Sequence, residues 1–431
     1  MRTTLQERVH GTPPPPTWGH GKLHRVLRVK KNFKNTGMKE SNLLSLSYGR
    51  IVRKDIDTAE GLLPESFETY QIVEPGNIVM RLTDLQNDKR SLRQGLVHER
   101  GIITSAYDAL KVGDDHDPRF WFYALLALDL AKYYYSLGGG VRQSINFADF
   151  PNDWIGVPDR EHQTAIADFL DRETARIDQL IAKKERMIDK LIERSAALIA
   201  SNVQEGGQLT KLAHHTKILP GYAFPSSDFS GDPTNIRLLR GVNVAPGNLR
   251  WDDVVYWPRN RTAEVSRFEL KVGDVIMGMD RPWISSGIRV AQVAEADVPC
   301  FLLQRVCKID PLSSLDKHYL FLLLNSRQFL AHFEPILTGV SVPHISSDQI
   351  QAFRFPYVPL EVQKQRVESC RGSLNRNQAV TEQIAASIER LHELRASLIT
   401  SAVTGDLDIA TWKKRGTMER HANAIEAGSP K

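Results

Sequence analysis

The chain has 431 residues, 41% apolar and 25% charged. At roughly 100–200 residues per domain this length predicts two to four domains, each able to bury a core. Such a composition excludes collagen-like, mucin-like and wholly disordered chains, and a net charge of +5 permits a nucleic-acid partner without requiring one.

From Met1 to Glu60 there are 12 Lys and Arg against 5 Asp and Glu, a net of +7, so the remaining 371 residues sum to −2. Lys22, Arg25, Arg28, Lys30, Lys31, Lys34 and Lys39 form a stretch with no acid. It reads either as a phosphate-facing surface or as a solvated basic arm. Residues 1–157 mix short β-branched runs (Gln71-Ile-Val, Asn77-Ile-Val-Met) with Gly, Pro, Asn and Asp punctuation and one apolar helix-like stretch, Phe120–Tyr135. An α+β domain is expected. No apolar run reaches the roughly 18 residues of a membrane helix, and the N-terminus is polar. A cytoplasmic protein without a membrane partner is expected.

Asp159 to Val203 contains neither Pro nor Gly. Ile177, Ile181, Ile188, Leu191 and Leu198 fall at heptad spacing, with Lys184 and Ser195 in the two gaps. Asp159 predicts an N-cap and Gly206-Gly207 a stop, giving a central helix in 158–205. Residues 206–358 repeat the mixed pattern, with an apolar helix-like stretch at Lys317–Phe333. Cys300 and Cys307 flank what reads as one buried strand. With Cys370 they make neither a disulfide framework nor a metal set. A second helix, 359–410, carries Ile384, Ile388, Leu391 and Leu398; Gly372 marks a kink or break costing about 1 kcal/mol relative to Ala. Residues 411–431 are polar and predicted to be a disordered tail.

The chain also repeats itself at a period of about 200 residues. Ala196, Leu198, Ile199, Ser201 and Val203 recur as Ala396, Leu398, Ile399, Ser401 and Val403. Glu161 and Gln163 recur as Glu361 and Gln363, and Glu74-Pro-Gly-Asn-Ile-Val-Met80 resembles Lys271-Val-Gly-Asp-Val-Ile-Met277. The chain therefore reads as two copies of a globular domain followed by a helix. Each helix has one apolar seam, and the simplest burial is an antiparallel coiled-coil pair with pseudo-two-fold symmetry. Packing of each helix on its own domain, or on other subunits, is the alternative.

Polar and aromatic residues cluster in loops of both domains. Arg81, Lys89, Arg90, Arg142 and Gln143 stand out in the first, and Tyr222, Arg240, Asn243, Arg281 and Trp283 in the second. Arg and Lys pair with guanine and Asn and Gln with adenine, so these are the candidate DNA-binding residues. The competing reading is that they hold structural turns. Motifs for P-loop hydrolysis, for a methyltransferase and for a nucleophile elbow are all missing. Glu269-Leu-Lys271 looks like a nuclease Glu-x-Lys but lacks a suitable preceding Asp. The scattered histidines, His20, His24, His214 and His215 among them, do not form a metal set, and no catalytic, cofactor or metal site is expected.

The run Pro158-Asp-Arg-Glu161-His-Gln163-Thr-Ala-Ile166-Ala-Asp168-Phe169-Leu170-Asp171, continuing through Ile177, Leu180, Ile181 and Lys184 to Leu198-Ile199, resembles the central conserved helix of type I restriction–modification specificity subunits. Leu398-Ile-Thr-Ser-Ala-Val403-Thr-Gly405-Asp-Leu-Asp408 resembles the end of their distal helix. Around Ser369-Cys370-Arg371 the usual Ile-Ala-x-x-Leu-Asp pattern is missing. The domains match more weakly, at Gly273-Asp274-Val275, Met279–Trp283 and Gly140–Ser144. The resemblance implies two target-recognition domains, each reading half of a bipartite site in double-stranded DNA. It implies that the helical pair spaces them and docks two methyltransferase subunits, with the restriction (translocase and nuclease) subunits joining these. S-adenosylmethionine, ATP and Mg would then bind to the partners. A self-sufficient DNA enzyme, or a stand-alone DNA-binding or coiled-coil scaffold protein, is the alternative.

Overall fold

In the computed structural model the residues described are 3–30, 33–55, 66–85, 92–137, 144–204, 206–284, 287–337, 343–409 and 412. They form two units, residues 1–184 with 385–431 and residues 185–384. Each unit contains an antiparallel four-stranded sheet. In the first, β1 (Leu27–Val29), β2 (Ile78–Met80), β3 (Gln94–Leu96) and β4 (Asp108–Val112) lie in the order β1-β4-β2-β3. In the second, β5 (Thr216–Pro220), β6 (Val275–Gly278), β7 (Val290–Gln292) and β8 (Val306–Pro311) lie in the order β5-β8-β6-β7. The connectivity is the same. Two helices belong to each repeat: α1 (Pro118–Leu130) and α2 (Arg160–Val203), then α3 (Lys317–Leu324) and α4 (Leu360–Thr404).

The repeated turns before β2 and β6 are built atom for atom alike. Asn77 N–H donates to Glu74 O, and Glu74 N–H returns a bond to Asn77 Oδ1, both at 3.0 Å. Asp274 N–H donates to Lys271 O at 3.0 Å, and Lys271 N–H to Asp274 Oδ2 at 2.9 Å. The residue between, Gly76 or Gly273, has φ of 88° or 82°, a left-handed conformation in which glycine alone avoids a Cβ penalty.

A buried glutamine ties each domain to its helix. Gln163 and Gln363 are fully buried. Gln163 Nε2 donates to Pro158 O at 2.7 Å, and its Oε1 accepts from Asp117 N–H at 3.0 Å. Gln363 repeats this on Val358 O at 2.8 Å and Asp316 N–H at 2.7 Å. Asp117 and Asp316 are the N-caps of α1 and α3. One amide thus fixes the start of the domain helix against the start of the long one. Asp159 caps α2, accepting from His162 N–H at 2.9 Å.

Within each unit the long helices run antiparallel. In the first, Asp178 Oδ1 accepts from Arg395 Nε at 2.9 Å, and Ile177, Ile181, Leu391 and Leu398 share one core, with Ile388 against it. In the second, Ser195 Oγ accepts from Asn377 Nδ2 at 3.0 Å and Asn202 Oδ1 from Ser369 Oγ at 2.8 Å, while Ile199 and Val203 share a core with Val367 and Cys370. Ile384 is also buried.

Three details differ from the sequence expectations. The buried stripe of α2 passes from Ile181 and Lys184 to Ile199 and Val203, leaving Ile188, Leu191 and Leu198 half-buried. A helix at 3.6 residues per turn drifts about 20° per heptad, and the stripe follows it. α4 is continuous through Gly372, which sits on an exposed face. The helix-like stretches are each two helices: Lys132, with φ 61°, separates α1 from Tyr133–Leu137, and Asn325-Ser326 separates α3 from Arg327–Leu337.

Candidate nucleic-acid interface

In the second unit, main-chain hydrogen bonds gather four loops at one end of the sheet. Tyr222 N–H donates to Leu302 O at 3.0 Å and Gln304 N–H to Tyr222 O at 2.9 Å. Met279 N–H donates to Arg305 O, and Ile345 N–H to Met279 O, both at 2.9 Å. Gly221 makes this approach possible, because a Cβ there would lie 2.1 Å from Leu303 O. The loops thereby bring together Tyr222, Arg281, Arg305 and His344, with Arg289 beneath.

Cationic side chains dominate this cluster. Asp280 Oδ1 accepts from Arg305 Nη1 at 3.3 Å and lies 2.6 Å from His344 Nδ1. Arg289 is half-buried, bonded through Nε to Val244 O at 2.8 Å and through Nη1 to Asp280 O at 3.1 Å. Burial presses its pKa down, partly offset by Asp280. Arg281 is exposed, and the Tyr222 ring leaves 41% of its surface open while packing on Phe224 and Phe268. Trp283 is half-buried, its strand Trp283–Ile284 paired with Gly287–Ile288. Arg281 and Arg305 both take left-handed backbone, at φ 44° and 71°. For a non-glycine residue this costs of order 1–3 kcal/mol and persists only where surrounding structure imposes it.

Two loop residues serve the fold. Asn243, expected among the base-reading side chains, is 1% exposed. Its Oδ1 accepts from Arg240 N–H at 3.0 Å, and its Nδ2 donates to Arg250 O and Asp253 O, both at 2.9 Å. No donor is left for a base, so Asn243 is a loop brace rather than a reader. Arg240 is committed to Asp253, through the carboxylate at 2.7 Å and the carbonyl at 2.8 Å.

Arg305 is absent from the sequence-derived candidates. The run between Cys300 and Cys307 is two strands, Cys300–Leu302 and β8, and Arg305 sits in the turn between them. No Gly or Pro marks that turn, so one buried strand is the wrong reading there. Both thiols are buried, which pushes each up to about 12.

The first unit repeats the loop after β2. Ile145 N–H donates to Leu82 O at 2.9 Å, as Ile345 does to Met279. Two residues after Leu82, Asp84 has φ 56°, standing where Arg281 stands after Met279. Arg93, fully buried, holds this loop through Thr83 O at 3.1 Å and Asp84 O at 3.4 Å. Arg81 is half-buried, its N–H on Arg93 O at 2.7 Å. Lys89, Arg90, Arg142 and Gln143 lie outside the described residues, as does Lys31 of the basic stretch. Lys30 belongs to the fold: its ammonium reaches Glu74 Oε2 at 3.0 Å and Ile72 O at 3.3 Å.

Among the described residues no His, Cys, Asp and Glu cluster could hold a metal, and no helix is long and apolar enough to cross a membrane. Residues 253–390 match the family described as the type I restriction modification DNA specificity domain. The chain is 34% identical over 156 residues to the type I restriction enzyme EcoAI specificity subunit of Escherichia coli, covering 36% of this chain and 26% of that protein. It is 26% identical over 289 residues to the type I restriction enzyme MjaVIII specificity subunit of Methanocaldococcus jannaschii, covering 63% of this chain and 67% of that one. The match thus spans about a quarter of the first relative and two thirds of the second. A chain from a structural study of complex assembly and conformational transition of the type I R-M system shares the fold, with a TM-score of 0.61 at 15% identity over 91% of this chain and 99% of that one.

Proposed function

We propose that the chain is a member of the type I restriction–modification DNA specificity family and that it selects the DNA on which partner enzymes act, reading a bipartite site in double-stranded DNA. The observation that carries this reading is the pair of left-handed arginines, Arg281 and Arg305, displayed on one loop cluster beside the exposed ring of Tyr222. Strained backbone that presents guanidinium groups suits side chains whose job is to meet a base edge.

Residues 1–157 read one half-site and residues 206–358 the other. The helices of 158–205 and 359–410 space the two readers and dock two methyltransferase subunits, which restriction subunits join. The duplicated sheet, turn and glutamine staple support two readers of one design. The chain performs no chemistry of its own. S-adenosylmethionine, ATP and Mg act on the partners, in the cytoplasm.

Methylome sequencing of the host with and without the gene tests the reading. A split motif whose methylation disappears with the gene is the expected result. An unchanged methylome would overturn it and favour a stand-alone DNA-binding or scaffold role. The purified chain should transfer no methyl group from S-adenosylmethionine until a methyltransferase subunit is added. A footprint of the complex that protects one contiguous half-site would overturn the two-reader arrangement.

A further inference from the structure

Away from the loop cluster, the second unit carries a pocket of about 470 Å³ between the strands Leu209–Lys211 and Arg354–Pro356. Its charge is of one sign. Lys211 and Arg354 are direct cross-strand neighbours, and His214 and His215 line the same pocket. Thr210 Oγ1 lies 3.3 Å from His214 Nδ1 and 3.1 Å from His215 Nε2. The His215 ring stacks on Tyr357 at 4.8 Å and 15°, and its Nδ1 lies 2.8 Å from Ser314 Oγ. The His215 imidazole is thus fixed in place. Among the described residues no Asp or Glu lines the pocket, and no carboxylate pairs with Lys211 or Arg354.

Like charges directly opposed across a strand pair destabilise it. The first unit has one such pair, Arg28 opposite Lys111, but there a carboxylate offsets it, with Lys111 Nζ 3.3 Å from Asp114 Oδ1. In the matching strand pair of the first unit Lys22 faces Trp154, and its ammonium reaches Asn152 Oδ1 at 3.4 Å. A concave site where an ammonium, a guanidinium and imidazoles converge suits a compact, polydentate anion. Guanidinium in particular matches phosphate oxygens. An acidic protein segment would need a longer, flatter stripe of cations.

We propose that this pocket is a phosphate-binding site, with Lys211 and Arg354 as the principal ligands and His214 at its rim. The phosphate comes either from the DNA backbone or from a free phosphate or nucleotide. Only the first source rests on the DNA-binding reading above.

The test uses the full-length chain, with inorganic phosphate as the probe against chloride at matched ionic strength. Phosphate should raise the melting temperature and shift the imidazole resonances of His214 and His215. The double variant Lys211→Gln/Arg354→Gln should lose both responses and, without phosphate, melt no lower than the parent. The exchange Lys211→Arg/Arg354→Lys should keep them. No response in the parent, or an equal response in the double variant, overturns the proposal. A response to an oligoglutamate peptide and not to phosphate overturns it in favour of an acidic protein surface.

A random-sequence duplex then separates the sources. If DNA supplies the phosphate, the double variant lowers the log–log salt slope of binding by about 0.9 and leaves sequence preference intact. An unchanged slope with the phosphate response present assigns the site to a free phosphate or nucleotide. Failure of the DNA-specificity reading would instead appear as lost sequence preference in the parent chain.

Discussion

Arg305 holds a backbone conformation that glycine adopts freely and most side chains avoid. Its ion pair with Asp280 is 3.3 Å long on an exposed side chain and contributes little stability. Arg305→Gly should therefore leave the fold as stable or raise the melting temperature slightly. In the same variant, discrimination of the target duplex should fall by about 1–3 kcal/mol. A loss of stability with unchanged discrimination would make Arg305 a structural residue and remove it from the reader. Asp129 gives a second test at this scale. It is 1% exposed; Oδ2 accepts from Arg93 N–H at 2.6 Å while Oδ1 is without a hydrogen bond. Burial holds its pKa up at about 6 against an ordinary 3.8. A carboxyl group with a raised folded-state pKa destabilises the fold while ionised, here by about 3 kcal/mol above pH ~6. The cost fades as the pH falls through 6 towards the unfolded value. Asp129→Asn keeps the acceptor without the charge, so its stability advantage over the parent should shrink between about pH 7.5 and about pH 5. A gap that does not change with pH would show that Asp129 does not titrate in that window.

At the level of elements, the glutamine staples carry more of the architecture than their size suggests. Gln163→Leu would leave Asp117 N–H and Pro158 O buried without partners, at about 1–3 kcal/mol for each group. Faster amide exchange at Asp117, together with a lower melting temperature, is the expected result, and Gln363→Leu should do the same at Asp316. Both glutamines were visible in the sequence as members of a repeat; their chemistry was not, because a buried side-chain amide bridging two helix starts leaves no periodic signal. The turns before β2 and β6 were also legible, since Gly at a fixed place beside Asn or Asp announces them. The seam was half legible. Heptad spacing found Ile177, Ile181, Leu391 and Leu398, all buried, but named Leu198 where an undistorted helix brings Ile199 and Val203 inward. The loop cluster was the least legible part: Asn243 has the composition of a base-reading residue and the hydrogen bonds of a brace, while the turn at Arg305 lacks the residues that mark turns.

For the whole molecule, charge and length are the two quantities that sequence and structure read together. The +7 of the first 60 residues has no counterpart in the rest of the chain. If residues 206–358 read a half-site as proposed, they do so with local arginines, to which the proposed phosphate pocket would add. Length enters through the helices. Each carries polar contacts inside its pairing, Asp178 with Arg395 in the first unit and Ser195 with Asn377 in the second. These favour one register, because a slip leaves the buried Asn377 amide and the partly buried Asp178, Ser195 and Arg395 without these partners. Removing seven residues from one helix alone should mismatch these contacts and lower the melting temperature. Removing seven from both restores the pairing, since seven residues are nearly two whole turns. It shortens each helix by about 10 Å, roughly three base pairs of duplex. If the helices set the distance between half-sites, the paired deletion should remain folded and methylate a motif whose spacer is about three base pairs shorter. A folded paired deletion with the parental spacer would show that something other than helix length sets that distance.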